Sequence, residues 1–403
     1  MNPLSASDDL IYLDHAATTP LDPAVLEAML PYFSERYGNP SSMYGLGQAS
    51  RAALDQARQR CARVLGCDPG EIVFTSGATE SDNLALRGVA WAARIAHQER
   101  DAAPHIVTSS IEHHAVLHTA QSLERQGFSA TYVSPDGRGV IDPAEIAAAL
   151  RPETCLISLM YANNESGAIQ PVRQVAEIAR ERGIPLHNDA VQAAGMLPLN
   201  VNVLGADLLS LSAHKFYGPK GVGLLYVRRG TAIDFQQQGG SQEQGRRGGT
   251  ENVPGIVGLG LALERAEEQR NSYAEHCRTL RDRLMREALA AIPDATVNGP
   301  LDPALRLPNN FNVAIPGVDG ETVLLTLDMA GIAASAGSAC TTGNTEPSHV
   351  LLAMGLSADA CRSSLRFTLG RSNDESQIGR AVQALVQSVE RMRAVTSTVS
   401  GVT

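Results

Sequence analysis

From about residue 71 to residue 226 the chain alternates short apolar, β-branched runs with longer stretches in which apolar residues recur at helical spacing. This alternation is typical of a mostly parallel sheet flanked by helices. The pattern predicts strands at residues 72–75, 105–109, 130–133, 155–161, 184–187 and 207–212. It predicts helices at residues 80–98, 115–126, 143–150 and 172–182. One more strand, residues 221–227, follows a tight FYGPKG connection and is expected to be antiparallel.

A second, smaller unit follows a long helical stretch at residues 253–291 that is rich in Glu and Arg. Its pattern predicts strands at residues 311–315, 332–335 and 365–369 and a last helix at residues 374–395, before a small, polar tail at 396–403. The fold class predicted is therefore α/β, with a large, mostly parallel sheet domain and a smaller α+β domain at the carboxyl end.

Composition narrows the classes of function. The chain has 403 residues, 43% of them hydrophobic, and a net charge of -10, which argues against nucleic acid as a direct partner. No apolar run approaches the roughly 18 residues of a membrane span, and the start of the chain lacks the features of a signal peptide. A cytoplasmic protein without membrane contact is therefore expected.

The cysteines form no CxxC pair and no repeated spacing, so disulfides and a cysteine metal site are not expected. They predict buried small hydrophobic side chains and at most one reactive thiol. They are Cys61, Cys67, Cys155, Cys277, Cys340 and Cys361.

Ligands of open parallel sheets bind beyond the carboxyl ends of the strands, so the loops there are of most interest. TSGATESDN, residues 75–83, runs from a strand into a helix, whose first N–H groups suit a phosphate; an ordinary helix cap is the alternative. Neither a GxGxxG fingerprint nor a P-loop accompanies it.

In IEHHAVLH, His114 and His118 could share a helical face, but the metal-ligand set is incomplete. His113 could lie flat against an aromatic ligand, although surface or capping histidines explain this cluster equally simply.

Two more loops carry charged groups at strand ends. Asp189 follows a strand, where a half-buried carboxylate requires a cation, either a pyridinium nitrogen or an arginine of the same domain. Lys215, in SAHKFYGPKG, ends another strand, where loss of hydration lowers a lysine pKa and allows a Schiff base to form. Lys220 is its exposed counterpart. A phosphate cradle, a stacking imidazole, a carboxylate and a desolvated lysine together fit pyridoxal 5'-phosphate.

The fragments LDHAATTP, GNPSS, TSGATESDN, EHHAV, ANNE, DAVQ, SAHKFYGPKG, GRRGGTENVPG and SLRFTLGR are together similar to the cysteine desulfurases of the class-V aminotransferase group. Their order is the family's, and they span nearly the whole chain. The resemblance implies the pyridoxal-phosphate-dependent transferase fold. It divides the chain into an N-terminal segment, residues 1–20, that packs on the small domain, a large cofactor-binding domain, residues 21–262, and a small domain, residues 263–403, that carries a catalytic cysteine loop.

The resemblance also assigns roles to single residues. It implies that Lys215 attaches the cofactor as a Schiff base, that Asp189 pairs with its pyridine nitrogen, that Gln192 binds its phenolic oxygen and that His113 stacks on its ring. The residues implied to hold the phosphate are Ala78, Thr79, Ser212, His214 and Thr250. In the family the last of these comes from the partner subunit, which implies a homodimer. Those implied to hold the carboxylate of the substrate are Asn39, Asn164, which also touches the cofactor, and Arg366.

Cys340, in AGSACTTGNTEPSHVL, resembles the cysteine of this family that forms a persulfide. The implied reaction converts L-cysteine to L-alanine with Lys215 as the base, and passes the sulfur from Cys340 to an acceptor such as an iron-sulfur scaffold protein. Either His113 or the amine of the substrate takes the proton of the thiol. The form of this loop resembles the branch that supplies housekeeping or nitrogenase iron-sulfur assembly.

Three other functions are compatible with parts of the pattern. A selenocysteine lyase or a related pyridoxal-phosphate lyase would not need Cys340. A scaffold protein would retain the pyridoxal site without using it, which the intact Lys215 and Asp189 argue against. A metal-binding protein built on the histidine cluster would need further ligands, so no metal is expected.

Overall fold

The computed structural model describes residues 10–96, 103–336 and 346–400, with side chains up to residue 394. The strands are β1 Ile11–Tyr12, β2 Ile72–Thr75, β3 His105–Ser109, β4 Ser129–Val133, β5 Thr154–Ser158, β6 Leu186–Asp189, β7 Leu208–Ser212, β8 Gly223–Val227, β9 Thr296–Asn298, β10 Asn310–Ala314, β11 Ile332–Ala333, β12 Ser335–Ala336 and β13 Ser364–Thr368.

The helices are α1 Pro23–Met29, α2 Pro31–Ser34, α3 Gly45–Leu65, α4 Ala78–Ala96, α5 His114–Glu124, α6 Pro143–Ala149, α7 Val172–Arg182, α8 Val201–Leu204, α9 Val253–Glu268, α10 Arg270–Ala291, α11 Gly320–Met329, α12 His349–Ala353, α13 Ala358–Arg362 and α14 Glu375–Ser400. Within the described residues, none of these helices is both long enough and apolar enough to cross a membrane.

Seven strands form the large sheet, in the order β2-β8-β7-β6-β5-β3-β4. β8 is antiparallel to both of its neighbours, as its sequence position predicts, and the other pairs are parallel. Alternate residues of the strands face opposite sides: Phe74 packs with α3 and α9, whereas Val73 packs with α4 and α5. Helices therefore bury both faces, and ligands can reach the parallel strands only at their ends.

The second sheet, in the order β12-β13-β10-β9, is antiparallel and forms another apolar core with α10, α11 and α14. The first described residues of the chain join this core, because β1 pairs in parallel with β11 and Asp14 bridges to Thr368. The chain then crosses to the large sheet, where Thr19 N–H donates to the carbonyl of His214 at 2.9 Å. The segment 14–19 thus connects the two cores directly.

Three elements differ most from the prediction. The helix predicted at residues 253–291 is two helices that meet at Gln269, since α9 packs on α3 while α10 packs on α14. The strand predicted at residues 332–335 is divided between two sheets, as β11 pairs with β1 and β12 with β13. The last helix continues to Ser400, five residues beyond its predicted end. In the first two cases contacts made elsewhere in the fold, which leave no local signal, decide where the element ends.

The chain segment that follows residue 345 lies on the large sheet domain. Val350 and Leu351 of α12, together with Met354 and Cys361, are buried in the core that contains α3 and α9. After α13 the chain returns to the second sheet through β13. Residues 349–361 therefore pack against the large domain, although their neighbours along the chain belong to the small one.

Candidate active site

A cavity of about 580 Å³ opens at the carboxyl ends of the parallel strands. Its walls come from the loops after β2, β3, β5, β6 and β7, from the segment 16–18 and from Arg366 of β13. The residues predicted for the site that line this cavity are Ala78, Thr79, His113, Asn164, Asp189, Gln192, Ser212, His214, Lys215 and Arg366. The topology of the sheet thus gathers groups that are up to 288 positions apart, from Ala78 to Arg366, around one space.

One end of the cavity suits a phosphate. β2 leads through Ser76 and Gly77 into α4, and the N–H groups of the first turn of a helix have no partner within that helix. β8 passes so close to this loop that a Cβ atom on Gly223 would lie 2.7 Å from Cα of Gly77, so position 223 needs a glycine. Glu80 adds a carboxylate, but Arg247 pairs with both of its oxygens at 2.9 and 3.2 Å and balances its charge.

Asp189 presents a buried carboxyl to the cavity. Its Oδ1 accepts a hydrogen bond from the N–H of Val191 at 3.0 Å. Burial raises the pKa of Asp189, and the positive charge of Lys215 lowers it. Among the residues that the structure describes, no arginine pairs with it, so the salt bridge within the domain that the sequence left open is not formed. The carboxyl is therefore available to a cationic ligand.

A second carboxyl lies close to Asp189 and also lines the cavity. Asp82 of α4 is fully buried, and both its burial and the neighbouring Asp189 raise its pKa. His187 lies 3.5 Å from Asp82 and is held between Ser158 and Ser210, with 2.9 Å on each side. Burial lowers the pKa of His187 to about 3, so its ring is neutral. The raised pKa of Asp82 favours its protonated form, whereas the positive charge of Lys215 favours the ionised form of Asp189, which can accept a hydrogen bond from a cation.

Lys215 lies in a single helical turn directly after β7. Its Nζ donates hydrogen bonds to the backbone carbonyls of Ala16 at 2.6 Å and Ala17 at 2.8 Å. The carbonyl of Ala16 also accepts from Nε2 of Gln192 at 3.1 Å. The segment 14–19 thus helps to position both predicted cofactor contacts, a role that sequence reasoning missed although it singled out the fragment LDHAATTP.

His113 caps the start of α5, which is one of the two roles that the sequence left open for it, beside stacking on an aromatic ligand. Its Nδ1 accepts a hydrogen bond from the N–H of Ala115 at 3.1 Å, so the proton of the neutral ring is on Nε2. Burial and the positive charge of Lys215 lower the pKa of His113 to about 4. A neutral, enclosed imidazole on the wall of the cavity suits stacking on an aromatic ring.

The histidines beside it do share a helical face: the rings of His114 and His118 stack with their centroids 4.7 Å apart, and His349 lies 4.7 Å from His114. No set of three or more side chains within the described residues has the arrangement of a metal site.

Arg366 provides the cation at the far side of the cavity. It is 1% exposed, and its two terminal nitrogens donate to the carbonyl of Asn164 at 3.0 Å and to Asp14 at 2.8 Å. Its Nε is buried and has no hydrogen-bond partner among the described residues. Such a guanidinium suits the carboxylate of a small ligand. Asp14, which holds the guanidinium in place, is a second contribution of the N-terminal segment that sequence reasoning missed.

Three predicted residues lie elsewhere. Asn39 is exposed, and its Oδ1 accepts from the N–H of Ser41 at 2.9 Å. Thr250 is exposed beside a separate cavity of about 220 Å³, which shares Ser76 and Gly221 with the phosphate end. Cys340 lies outside the described residues. The roles of all three remain predictions.

The other cysteines are unreactive thiols. Cys61, Cys277 and Cys361 are buried, whereas Cys67 and Cys155 are half-buried, which corrects the expectation of buried side chains at these two positions. Burial raises the pKa of Cys61, Cys67, Cys155 and Cys277 to about 12, and it raises that of Cys361 as well. None of these five supplies a thiolate near neutral pH.

Known proteins share this architecture. Residues 11–380 match the aminotransferase class-V family. A cysteine desulfurase IscS of Methanosarcina thermophila is 49% identical over 390 residues, which is 97% of this chain and 94% of the relative. One from Clostridium botulinum, strain Hall, is 46% identical over 383 residues, 95% of each chain.

Solved structures show the same likeness. A NifS-like protein superposes with a TM-score of 0.87 at 38% identity over 94% of this chain and 99% of its own. SspA in complex with cysteine superposes with a TM-score of 0.76 at 37% identity over 89% of this chain and 99% of its own. The predicted α/β fold class and the family resemblance are both confirmed.

Proposed function

The chain belongs to the class-V aminotransferase family and is a pyridoxal-phosphate-dependent cysteine desulfurase, and we propose that it moves the sulfur of L-cysteine onto Cys340. The observation that carries this proposal is the cavity that brings Lys215, Asp189, His113 and Arg366 together. The overall change is L-cysteine plus the Cys340 thiol giving L-alanine plus a persulfide on Cys340. Atoms and charge balance without an external oxidant.

The residues of the cavity fit pyridoxal 5'-phosphate. The start of α4 with Ala78 and Thr79, together with Ser212 and His214, would hold the phosphate, and the neutral ring of His113 would cover one face of the pyridine. Asp189 would accept a hydrogen bond from the pyridine nitrogen, and Gln192 would donate one to the phenolic oxygen. When bound, this cofactor draws electrons from the Cα atom of an amino acid and makes its proton acidic.

The chain supplies the base and the substrate contacts. Lys215 would hold the cofactor through its Nζ and, once released by the substrate, take the proton from Cα. Arg366 would bind the carboxylate of L-cysteine through its buried Nε and an adjacent terminal nitrogen, while Asn164 and Asn39 would complete that site. Asp14 keeps the guanidinium in one orientation, which reduces the cost of ordering it when the substrate binds.

Sulfur transfer requires the thiolate of Cys340, because the thiolate and not the thiol is the nucleophile. A free cysteine with a pKa of about 8.5 is only partly ionised near neutral pH, so a base must take the thiol proton. The sulfur of Cys340 bonds to the sulfur of the substrate, and the carbon–sulfur bond breaks with its electron pair left on carbon, which then gains a proton. His113 carries its proton on Nε2 and has a lowered pKa, so the amine of the substrate is the better acceptor for the thiol proton.

We propose that the persulfide then passes to an acceptor protein that assembles iron-sulfur clusters. The relatives that carry the IscS name cover nearly the whole of this chain, which supports that role. Each cycle begins with a free thiol, so a reducing cytoplasm is the compartment proposed.

The direct test is mass spectrometry of the purified holoenzyme after a short incubation with L-cysteine. We expect one added sulfur on the peptide that contains Cys340, with one L-alanine formed for each sulfur. Peptides containing Cys67 and Cys155, which are also partly accessible, serve as internal controls and should gain none. L-Alanine formed without sulfur on Cys340 would contradict the proposed acceptor.

A homodimer is proposed because an apolar patch on residues 26–44 is exposed in the single chain. Its side chains are Leu26, Leu30, Phe33, Tyr37, Met43 and Tyr44, and the most exposed, Met43, is 90% accessible. Patches of this kind mark protein interfaces. The position of Thr250 outside the main cavity is consistent with its predicted use by the partner subunit.

Substitution of one leucine in this patch tests the dimer. Leu30→Glu should raise the dimer dissociation constant by more than about tenfold, because it would bury a charge in an apolar contact. Leu301→Glu, which alters another exposed leucine outside the patch, should leave the constant unchanged. Light scattering over a dilution series measures both. Wild-type protein at the mass of one chain, 42.7 kDa, at micromolar concentration would contradict the proposal.

A further inference from the structure

The chain that follows the Cys340 segment is tied to the large domain by a buried carboxyl. Ser348 is the N-cap residue of α12, eight positions after Cys340, and its Oγ donates a hydrogen bond to Oε2 of Glu165. Ser348 is 3% exposed and Glu165 is 4% exposed. This contact joins residues 183 positions apart and lies where water competes little for it.

Glu165 is itself held rigidly. Its N–H donates to Oδ1 of Asn163 at 2.9 Å, and its carbonyl accepts from the side-chain amides of Asn310 at 3.1 Å and Asn312 at 3.0 Å, both on β10. Burial raises the pKa of its carboxyl to about 7, while the bond from Ser348 and the positive charge of Arg366 lower it. Glu165 thus has little freedom to move, and any group bound to its carboxyl is fixed relative to both sheets.

The same residue is adjacent to the substrate site. Asn164, its neighbour in the chain, lines the cavity, and the carbonyl of Asn164 accepts a hydrogen bond from Arg366 at 3.0 Å. A second contact lies beside the first: Nε2 of His349 meets the carbonyl of Glu112 at 2.9 Å, directly before the cap of α5 formed by His113. Residues 348–349 are therefore placed by the same loops that form the walls of the cavity.

From this geometry we infer that Glu165 is a positioning residue for sulfur transfer, which through Ser348 anchors the chain that follows Cys340 at a fixed place relative to the substrate site. The inference rests on the proposed role of Cys340. Glu165 does not touch the reacting atoms. It therefore affects how the sulfur of Cys340 meets the sulfur of the substrate, and it does not affect removal of the Cα proton.

The test separates these two steps in the full-length holoenzyme. The first measurement is the single-turnover rate at which Cys340 gains sulfur from L-cysteine, followed by mass spectrometry. The second is the rate at which the Cα proton of L-alanine exchanges with deuterated water, which needs Lys215 and the cofactor but not Cys340. Ser348→Ala removes the donor to Glu165.

Ser357→Ala is the matched control. Ser357 caps the next helix, α13, by accepting from the N–H of Ala360 at 3.2 Å, just as Ser348 accepts from the N–H of Leu351 at 3.1 Å. Both variants lose a helix cap, and only Ser348→Ala also loses the bond to a carboxyl.

We expect Ser348→Ala to slow sulfur loading about tenfold, the size of effect that loss of one buried hydrogen bond has, and to leave proton exchange within about twofold. Ser357→Ala should change neither rate, and Ser348→Thr, which keeps the hydroxyl, should restore loading. Glu165→Ala should slow loading as much as Ser348→Ala, and the double variant no further.

Equal loading rates in Ser348→Ala and Ser357→Ala would overturn the inference, as would a parallel fall of both rates in Ser348→Ala. If Ser348→Ala does not fold, the comparison of Glu165→Ala with Glu165→Gln, which keeps an acceptor oxygen and should load faster, decides the question. Failure of the proposed function is distinguishable, since wild-type protein would then not load Cys340 at all.

Discussion

Replacing Lys215 with alanine is expected to abolish covalent attachment of the cofactor and to slow exchange of the Cα proton of L-alanine by on the order of 10³-fold, the usual contribution of a positioned general base. The physical reason is that Lys215 follows β7 into the cavity, where its Nζ is oriented by the carbonyls of Ala16 and Ala17. Borohydride reduction followed by peptide mapping measures the attachment, and deuterium incorporation measures the exchange.

The small number of lysines in the chain simplifies identification of the residue that carries the cofactor. It contains only two lysines, Lys215 and Lys220, so a reduced cofactor adduct on lysine has two possible positions. Lys220→Ala is the matched control and should keep the adduct on Lys215. A reducible, covalently attached cofactor in Lys215→Ala would show that the assignment is wrong.

Replacing Cys340 with serine is expected to abolish sulfide release from L-cysteine while the visible absorbance of the bound cofactor is retained. A serine hydroxyl is not ionised near neutral pH and is a poor nucleophile towards sulfur, so the carbon–sulfur bond has no acceptor. Proton exchange of L-alanine should proceed at the wild-type rate, because that step uses Lys215 and the cofactor alone.

Cys67→Ser provides the control for this variant. Cys67 is half-buried and its pKa is raised to about 12, mainly by burial, so its thiol takes no part in the reaction and sulfide release should be unchanged. Sulfide release from Cys340→Ser at the wild-type rate would identify the enzyme as one that eliminates without a protein nucleophile, which is the selenocysteine lyase type of reaction.

The large sheet was readily predictable because its strands are buried on both faces and are separated by helices in which apolar residues recur at the usual helical spacing. Every predicted strand between residues 71 and 227 corresponds to an observed one, with ends that differ by up to three residues. Lys215 and Asp189 could be found for the same reason: Lys215 follows β7 and Asp189 ends β6, and the carboxyl ends of parallel strands meet at one edge.

The polar residues behind the site could have been found but were not. His187, Asn188 and Asp189 are three successive polar residues inside a fully buried strand, β6, which is an unusual pattern for a strand between two parallel neighbours. That pattern indicates a buried polar network. It does not indicate Asp82, which belongs to α4 and reaches His187 only because α4 packs across the sheet.

By itself, the sequence determined the order of strands and helices, the edge of the sheet that carries the chemistry and, through family resemblance, the reaction. These follow from local periodicity and from motifs that are continuous along the chain. Only the tertiary structure decided that Ala16 contacts Lys215, that Asp14 holds Arg366 and that Glu165 anchors Ser348, pairs separated by 199, 352 and 183 positions. Such contacts depend on how two cores and the segment between them pack together, and packing at that distance leaves no periodic trace in the chain.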